Sequence, residues 1–237
     1  MNIKNQDSEE VSLLPKNKLR SSGWRWFVLV LACIMNLSVD YCYDSPQSLQ
    51  KSIQEAFDIQ NTEFNLQFVI FSFPNFFLPF LGGIIMNRFG LRKSTLTFTL
   101  IPIIGQALIS YAVLNEDLYL MLLGRLILGI GGDTVLVLQS ALVAKWFEED
   151  ELSFAMSISY ISSELATGLN SLVTPWVYDI VEELYFPFLI GTGICILSFA
   201  AAAVLVLMDR KADRQEGKEE EDGEGDKISF SDIRSLG

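Results

Sequence analysis

Apolar residues in this chain do not alternate with polar ones, nor do they recur one turn in two; they run on. Six such stretches lie at roughly 26–47, 63–86, 94–114, 118–143, 153–178 and 186–208. Each is close to the 20 or so residues that a helix needs to cross about 30 Å of hydrocarbon. Runs of this length are read as helices, because every backbone polar group must find its partner inside the segment when no water is present. The pattern predicts an all-α membrane protein with six transmembrane helices: an arm at 1–25, a membrane domain at 26–208 and a tail at 209–237. The short connections alternate in character, basic at Asn87–Lys93, acidic at Asn115–Asp117, mixed at Lys145–Glu151 and acidic at Asp179–Glu183.

Charge then orients the bundle. Of 17 Lys and Arg residues, fifteen fall on one side of the predicted spans, among them Arg25, Arg88, Arg92, Lys93, Lys145 and Arg210. Lys51 alone lies on the other side, and Arg125 sits within the fourth span. Cytosolic loops collect basic residues, so both termini are expected in the cytosol. The net charge of −12 owes ten acids to the stretch after Met208, which reads as a solvated tail, and it gives no reason to expect a nucleic-acid partner. The first span follows a polar arm and is long enough to cross, so it is expected to serve as its own uncleaved insertion signal.

Within the spans a few polar groups recur at helical spacing. Asn36, Asp40, Tyr43, Asp44 and Gln47 form one stripe, and Ser157, Tyr160, Glu164, Gly168 and Ser171 another. In the fourth span Arg125, Gly129, Gly132, Leu136 and Gln139 share a face, with Asp133 roughly 80° round from Arg125. Such stripes serve either as helix-packing glue or as the lining of a polar cavity. Arg125 and Asp133 could likewise form a packing salt bridge. An ionisable group on each of three helices favours a shared cavity, with Asp133, Glu164, Asp40, Tyr160, Gln139 and Asn36 as candidate substrate contacts. Three scattered cysteines and no histidine predict no metal site, no disulfide framework and no cofactor. No nucleophile and base are arranged together in the spans, so an enzyme is not expected.

Two motifs carry a family resemblance. The second span ends in Gly82-Gly83-Ile84-Ile85-Met86-Asn87-Arg88-Phe89-Gly90-Leu91-Arg92-Lys93, and the fourth contains Arg125-Leu126-Ile127-Leu128-Gly129-Ile130-Gly131-Gly132-Asp133. Taken alone, the first is a loop that obeys the positive-inside rule. Together they resemble the signatures of the major facilitator superfamily, with Gly83, Asn87, Arg88, Gly90, Arg92, Lys93, Arg125, Gly129 and Gly132 in the gating and structural positions. Asn87 departs from the aspartate usual there. Cys42-Tyr43-Asp44-Ser45-Pro46, Phe73-Pro74-Asn75, Lys145-Trp146-Phe147 and Lys227-Ile228-Ser229-Phe230-Ser231-Asp232 are similar to the branch called major facilitator superfamily domain-containing protein 1, carriers of dipeptides in the lysosomal membrane.

That resemblance implies two inverted three-helix repeats forming an N-terminal half, a second six-helix half on the same or another chain, and alternating access around a midplane site. It also implies Asp133 in the substrate site and a base near the position that Glu164 holds here. A lysosomal address would bring clathrin adaptors and an accessory lysosomal membrane protein as partners, beside the lipid bilayer and a small-molecule substrate. Glu9, Leu13 and Leu14 have the spacing of an acidic dileucine sorting signal on the cytosolic arm. Protons, if coupled to transport, would travel on Asp40, Asp133 or Glu164, there being no histidine; uniport stays equally open. The rival from another class is a non-transporting six-helix interaction or sensor protein. Asn36-Leu37-Ser38 lies inside the first span and is not expected to be glycosylated.

Overall fold

The computed structural model describes residues 23–78, 88–147 and 149–215. Gly83, Asn87 and the sorting residues Glu9, Leu13 and Leu14 lie outside the described residues. Within those bounds the order is α1 (Trp24–Ser48), α2 (Gln50–Phe57), α3 (Asn61–Asn75), α4 (Leu91–Leu114), α5 (Leu118–Trp146), α6 (Glu149–Val181) and α7 (Tyr185–Gln215). Four of them, α1, α4, α5 and α7, are long and apolar enough to cross a membrane. The second predicted span coincides with α3 as far as Asn75, and its residues 79–86 lie outside the described residues. The fifth lies within α6, 33 residues long, whose polar stripe dilutes its apolar character.

The helix boundaries follow from local chemistry. The short α2 stops at Asp58, in the left-handed region at φ 50°. Gln60 and Glu63 open α3, the Glu63 carboxylate accepting the Gln60 amide at 2.9 Å. Gly90, at φ 80° and ψ 149°, turns the chain into α4, a conformation that a side chain would strain. Asp117 caps α5 by accepting the Leu120 amide at 3.1 Å.

Two helices organise the packing. α5 lies against α4, α3 and α1, while α1 also packs on α6 and α7, and α7 on α4. Close approach rather than a large apolar moment sets the α5 contacts. A Cβ at Gly129 would come within 2.2 Å of the Phe71 carbonyl oxygen, so the α3 backbone rests directly on α5 there. Leu136, predicted to share that face, is exposed. The α1–α6 seam is polar instead: Asn170 Nδ2 donates to the Tyr41 carbonyl and to Ser45 Oγ, both at 2.7 Å, while its Oδ1 accepts from Ser48 Oγ at 2.7 Å. An amide whose donors and acceptor are all used holds two helices together where lipid supplies no hydrophobic drive. Asn36 is 1 % exposed within α1, which places the sequon in packed helix.

α7 continues seven residues past the boundary placed at 208, to Gln215. Asp209 and Asp213, assigned by composition to a solvated tail, therefore belong to a packed helix end. The reason is electrostatic, as the next section describes.

Candidate functional site: a carboxylate cavity beside a buried arginine

Arg125 is fully buried, and it does not pair with Asp133. Its acceptors come from α1 and α3. Nη2 donates to the Tyr43 carbonyl at 3.0 Å, Nη1 to the Cys42 carbonyl at 3.3 Å and Nε to Gln67 Oε1 at 3.2 Å. Its guanidinium carbon also lies 5.4 Å from the centre of the Phe68 ring. The cause is one residue, Pro46, inside α1. Proline has no N–H, so the carbonyl four residues back, that of Cys42, loses its helical donor. Inside a span an unmet carbonyl costs several kcal/mol, and Arg125 meets it. The expectation of a packing salt bridge fails because the broken helix offers the guanidinium better-placed acceptors.

With Arg125 turned to α1, neither Asp40 nor Asp133 has a basic partner among the described residues. Asp40, Tyr43 and Val39 of α1, Phe71, Ser72 and Asn75 of α3, and Asp133 of α5 line a cavity of about 260 Å³. Asp40 accepts from Asn36 Nδ2 at 2.9 Å, and the same amide reaches Ser163 Oγ on α6 at 2.7 Å. Asp44, Glu164 and Asp133 are the charged neighbours of Asp40, all of its own sign. Asn75 Oδ1 is buried with no hydrogen-bond donor. The cavity thus carries two carboxylates and no basic side chain among the described residues.

The remaining candidates are spread more widely. Glu164 and Tyr160 are neighbours one turn apart on an exposed face of α6, Tyr160 being 68 % exposed. They reach the cavity electrostatically rather than as lining. Gln139 is buried six residues along α5 from Asp133, about 9 Å of rise, and does not line the cavity. Ser72 and Asn75 were not anticipated as site residues, although Phe73-Pro74-Asn75 was noted as a motif. A polar pair three residues apart on an otherwise Phe-rich helix was the available signal.

A second charged site lies where the ends of α5 and α7 meet the start of α4. Asp209 has no exposed side-chain surface. It accepts from Arg92 Nε at 2.9 Å, Lys145 Nζ at 2.8 Å and Trp146 Nε1 at 3.1 Å. Asp213 accepts from Lys145 Nζ at 2.9 Å and also from Arg92. Two acids and two bases from three helices close this end of the bundle, and Lys145 in the last turn of α5 complements that helix's dipole as well. Of the predicted basic motif, Arg92 takes part, whereas Arg88 and Lys93 are exposed.

Long apolar helices, glycine-tight packing and a polar cavity among α1, α3 and α5 fit a membrane-embedded carrier. The sequence model of the Major Facilitator Superfamily matches residues 32–237, and the chain belongs to that family of transporters. The human protein named lysosomal dipeptide transporter MFSD1 is 30% identical over 222 residues, which cover 90% of this chain and 48% of the human protein. Its zebrafish (Danio rerio) counterpart is 29% identical over the same shares. A solute carrier family 49 member 4 homolog from Xenopus tropicalis is 29% identical over 67% of this chain and 35% of its own length. The chain spans about half the length of the MFSD1 relatives it matches.

Proposed function

We propose that this chain forms the N-terminal half of a secondary carrier that moves small amine-bearing solutes, dipeptides foremost, across the lysosomal membrane by alternating access. In this reading six helices cross the bilayer as two inverted three-helix repeats, with both termini cytosolic, facing a second six-helix half on this or another chain. The arm's dileucine engages clathrin adaptors, and an accessory lysosomal membrane protein is a further partner. The relatives named as lysosomal dipeptide transporters support the compartment and the substrate class.

One observation carries the choice of an amine: Asp40, Asp133 and the unmet Asn75 Oδ1 surround one cavity, while the nearest buried cation, Arg125, is satisfied elsewhere. A primary ammonium brings three N–H donors and one positive charge, the complement of two carboxylates and an amide oxygen. Glu164, at the position where the family resemblance implied a base, adds a further acid to that field instead of a partner for the substrate's carboxylate.

The test uses the complete two-half carrier and ligand-induced thermal stabilisation with dipeptides, their N-acetylated forms, amino acids and sugars. Free dipeptides are expected to stabilise it, and N-acetylation, which removes the ammonium, to abolish the effect. Asp133→Asn is expected to weaken dipeptide binding roughly ten- to hundredfold, the loss of one charge-assisted hydrogen bond of about 1.5–3 kcal/mol. Equal binding of acetylated and free dipeptides overturns the amine assignment.

A further inference from the structure

The seam between α1 and α7 holds a pair of thiols that the carrier reading does not use. Cys42 and Cys195 are both free, each about 1 % exposed, and their sulfurs lie 3.6 Å apart. Cys42 Sγ is also 3.6 Å from the Gly191 carbonyl, one turn before Cys195. Further along the same seam Ser198 Oγ donates to the Met35 carbonyl, so the two helices stay in close register over several turns. Neither sulfur lines the carboxylate cavity. Cys33 is only partly buried and lies outside this pair.

A disulfide needs sulfurs roughly 2.0 Å apart, and two thiols already in contact across the seam can close that gap by turning about their side-chain bonds with a small approach of the helices. The burial of both sulfurs selects the oxidant: an oxidoreductase or a charged tripeptide disulfide cannot dock on them, whereas a small uncharged hydroperoxide can diffuse in. We propose that Cys42 and Cys195 form an oxidisable pair, closed by hydrogen peroxide into a disulfide that pins α1 to α7.

The chemistry takes two steps. One thiol sulfur attacks a peroxide oxygen, the O–O bond breaks, and a sulfenic acid and water result. The second thiol sulfur then attacks the sulfenic sulfur, the S–S bond forms and the S–OH bond breaks, releasing a second water. Two thiols and one peroxide thus give one disulfide and two waters; the sulfurs together lose two electrons, the peroxide oxygens gain them, and both thiol protons leave in water. Since α1 and α7 pack within one bundle, the bond stiffens that bundle without touching the cavity.

The experiment treats membranes containing the full carrier with hydrogen peroxide and alkylates free thiols in denaturant with a maleimide. It then reduces the sample, alkylates with an isotopically heavy maleimide and reads each cysteine by peptide mass spectrometry. Cys42 and Cys195 are expected to lose the light label in parallel and to gain the heavy one, and an unreduced digest should contain their linked peptides while Cys33 keeps the light label. Oxidised protein should unfold at a higher temperature than reduced protein and bind ligand equally well. Retention of light label on both cysteines, at peroxide doses that oxidise exposed cysteines in the same membranes, overturns the proposal. So does linkage to Cys33. In folded Cys195→Ala protein the rise in unfolding temperature on oxidation should vanish, and its persistence also defeats the pairing. If that variant does not fold, Cys195→Ser carries the same readout.

Discussion

The bundle treats buried charge in two opposite ways. Where α4, α5 and α7 meet, Asp209 and Asp213 are surrounded by Arg92, Lys145 and the Trp146 indole, and every charge has an opposite within hydrogen-bond reach. In the cavity among α1, α3 and α5, Asp40 has the acids Asp44, Glu164 and Asp133 around it and an unmet amide oxygen in the same lining, while Arg125 is spent on the carbonyls of Cys42 and Tyr43. Charges of the first kind hold helices together. Those of the second are half-buried with no opposite charge beside them, and they do not tie helices together. The contrast separates residues whose loss should unfold the protein from residues whose loss should only disarm it.

The sharpest way to break that contrast is Arg125→Ala. It strands the Cys42 carbonyl and the Gln67 oxygen away from water, at about 1–3 kcal/mol for each unmet group, and leaves a cavity besides. Folded yield by size-exclusion chromatography should collapse. Arg125→Lys should recover only part of it, because a point-charge ammonium cannot span three acceptors on two helices. Wild-type yield of the alanine variant would mean that the proline break is not held by this side chain.

Asp209→Ala should come next, at about 3–5 kcal/mol for a broken buried pair, eased to the extent that Arg92 and Lys145 fall back on Asp213. Thermal unfolding checks it, and the Asp209→Ala, Asp213→Ala double variant should cost more than the sum, since each acid is the other's fallback for the same two bases. Strict additivity would show that the end cluster does not act as one network.

Glu164→Gln lies at the opposite pole. Its carboxylate is exposed and makes no ion pair among the described residues, so folded yield and melting temperature should stay within the range of ordinary surface changes, about 0.5 kcal/mol. Ligand-induced stabilisation, however, should weaken severalfold, because one negative charge leaves the field around Asp40. If binding is unchanged for every ligand at every pH tested, Glu164 belongs to the surface of α6 and not to the site.

Much of the scaffold was legible in the chain itself. Apolar runs of about 20 residues located the helices because a span must satisfy its own backbone, and a polar residue inside one is costly enough to flag Asp40, Asp133 and Arg125 without any coordinates. Partnership was another matter. Helical spacing places Arg125 and Asp133 about 80° apart on the same helix, but it is silent on the loosened carbonyl of Cys42 one helix away, and competition among acceptors is settled by distance across helices. Asp209 and Asp213 looked like a solvated tail because composition averages over a segment; only the meeting of three helix ends makes them buried anchors. Ser72 and Asn75 join the cavity for the same reason, as does the contact of Cys42 with Cys195 across 153 residues. Periodicity along one helix fixes which face a residue occupies. What that face meets depends on how closely the next backbone approaches, as at Gly129 against Phe71, and that is decided by the packed bundle as a whole.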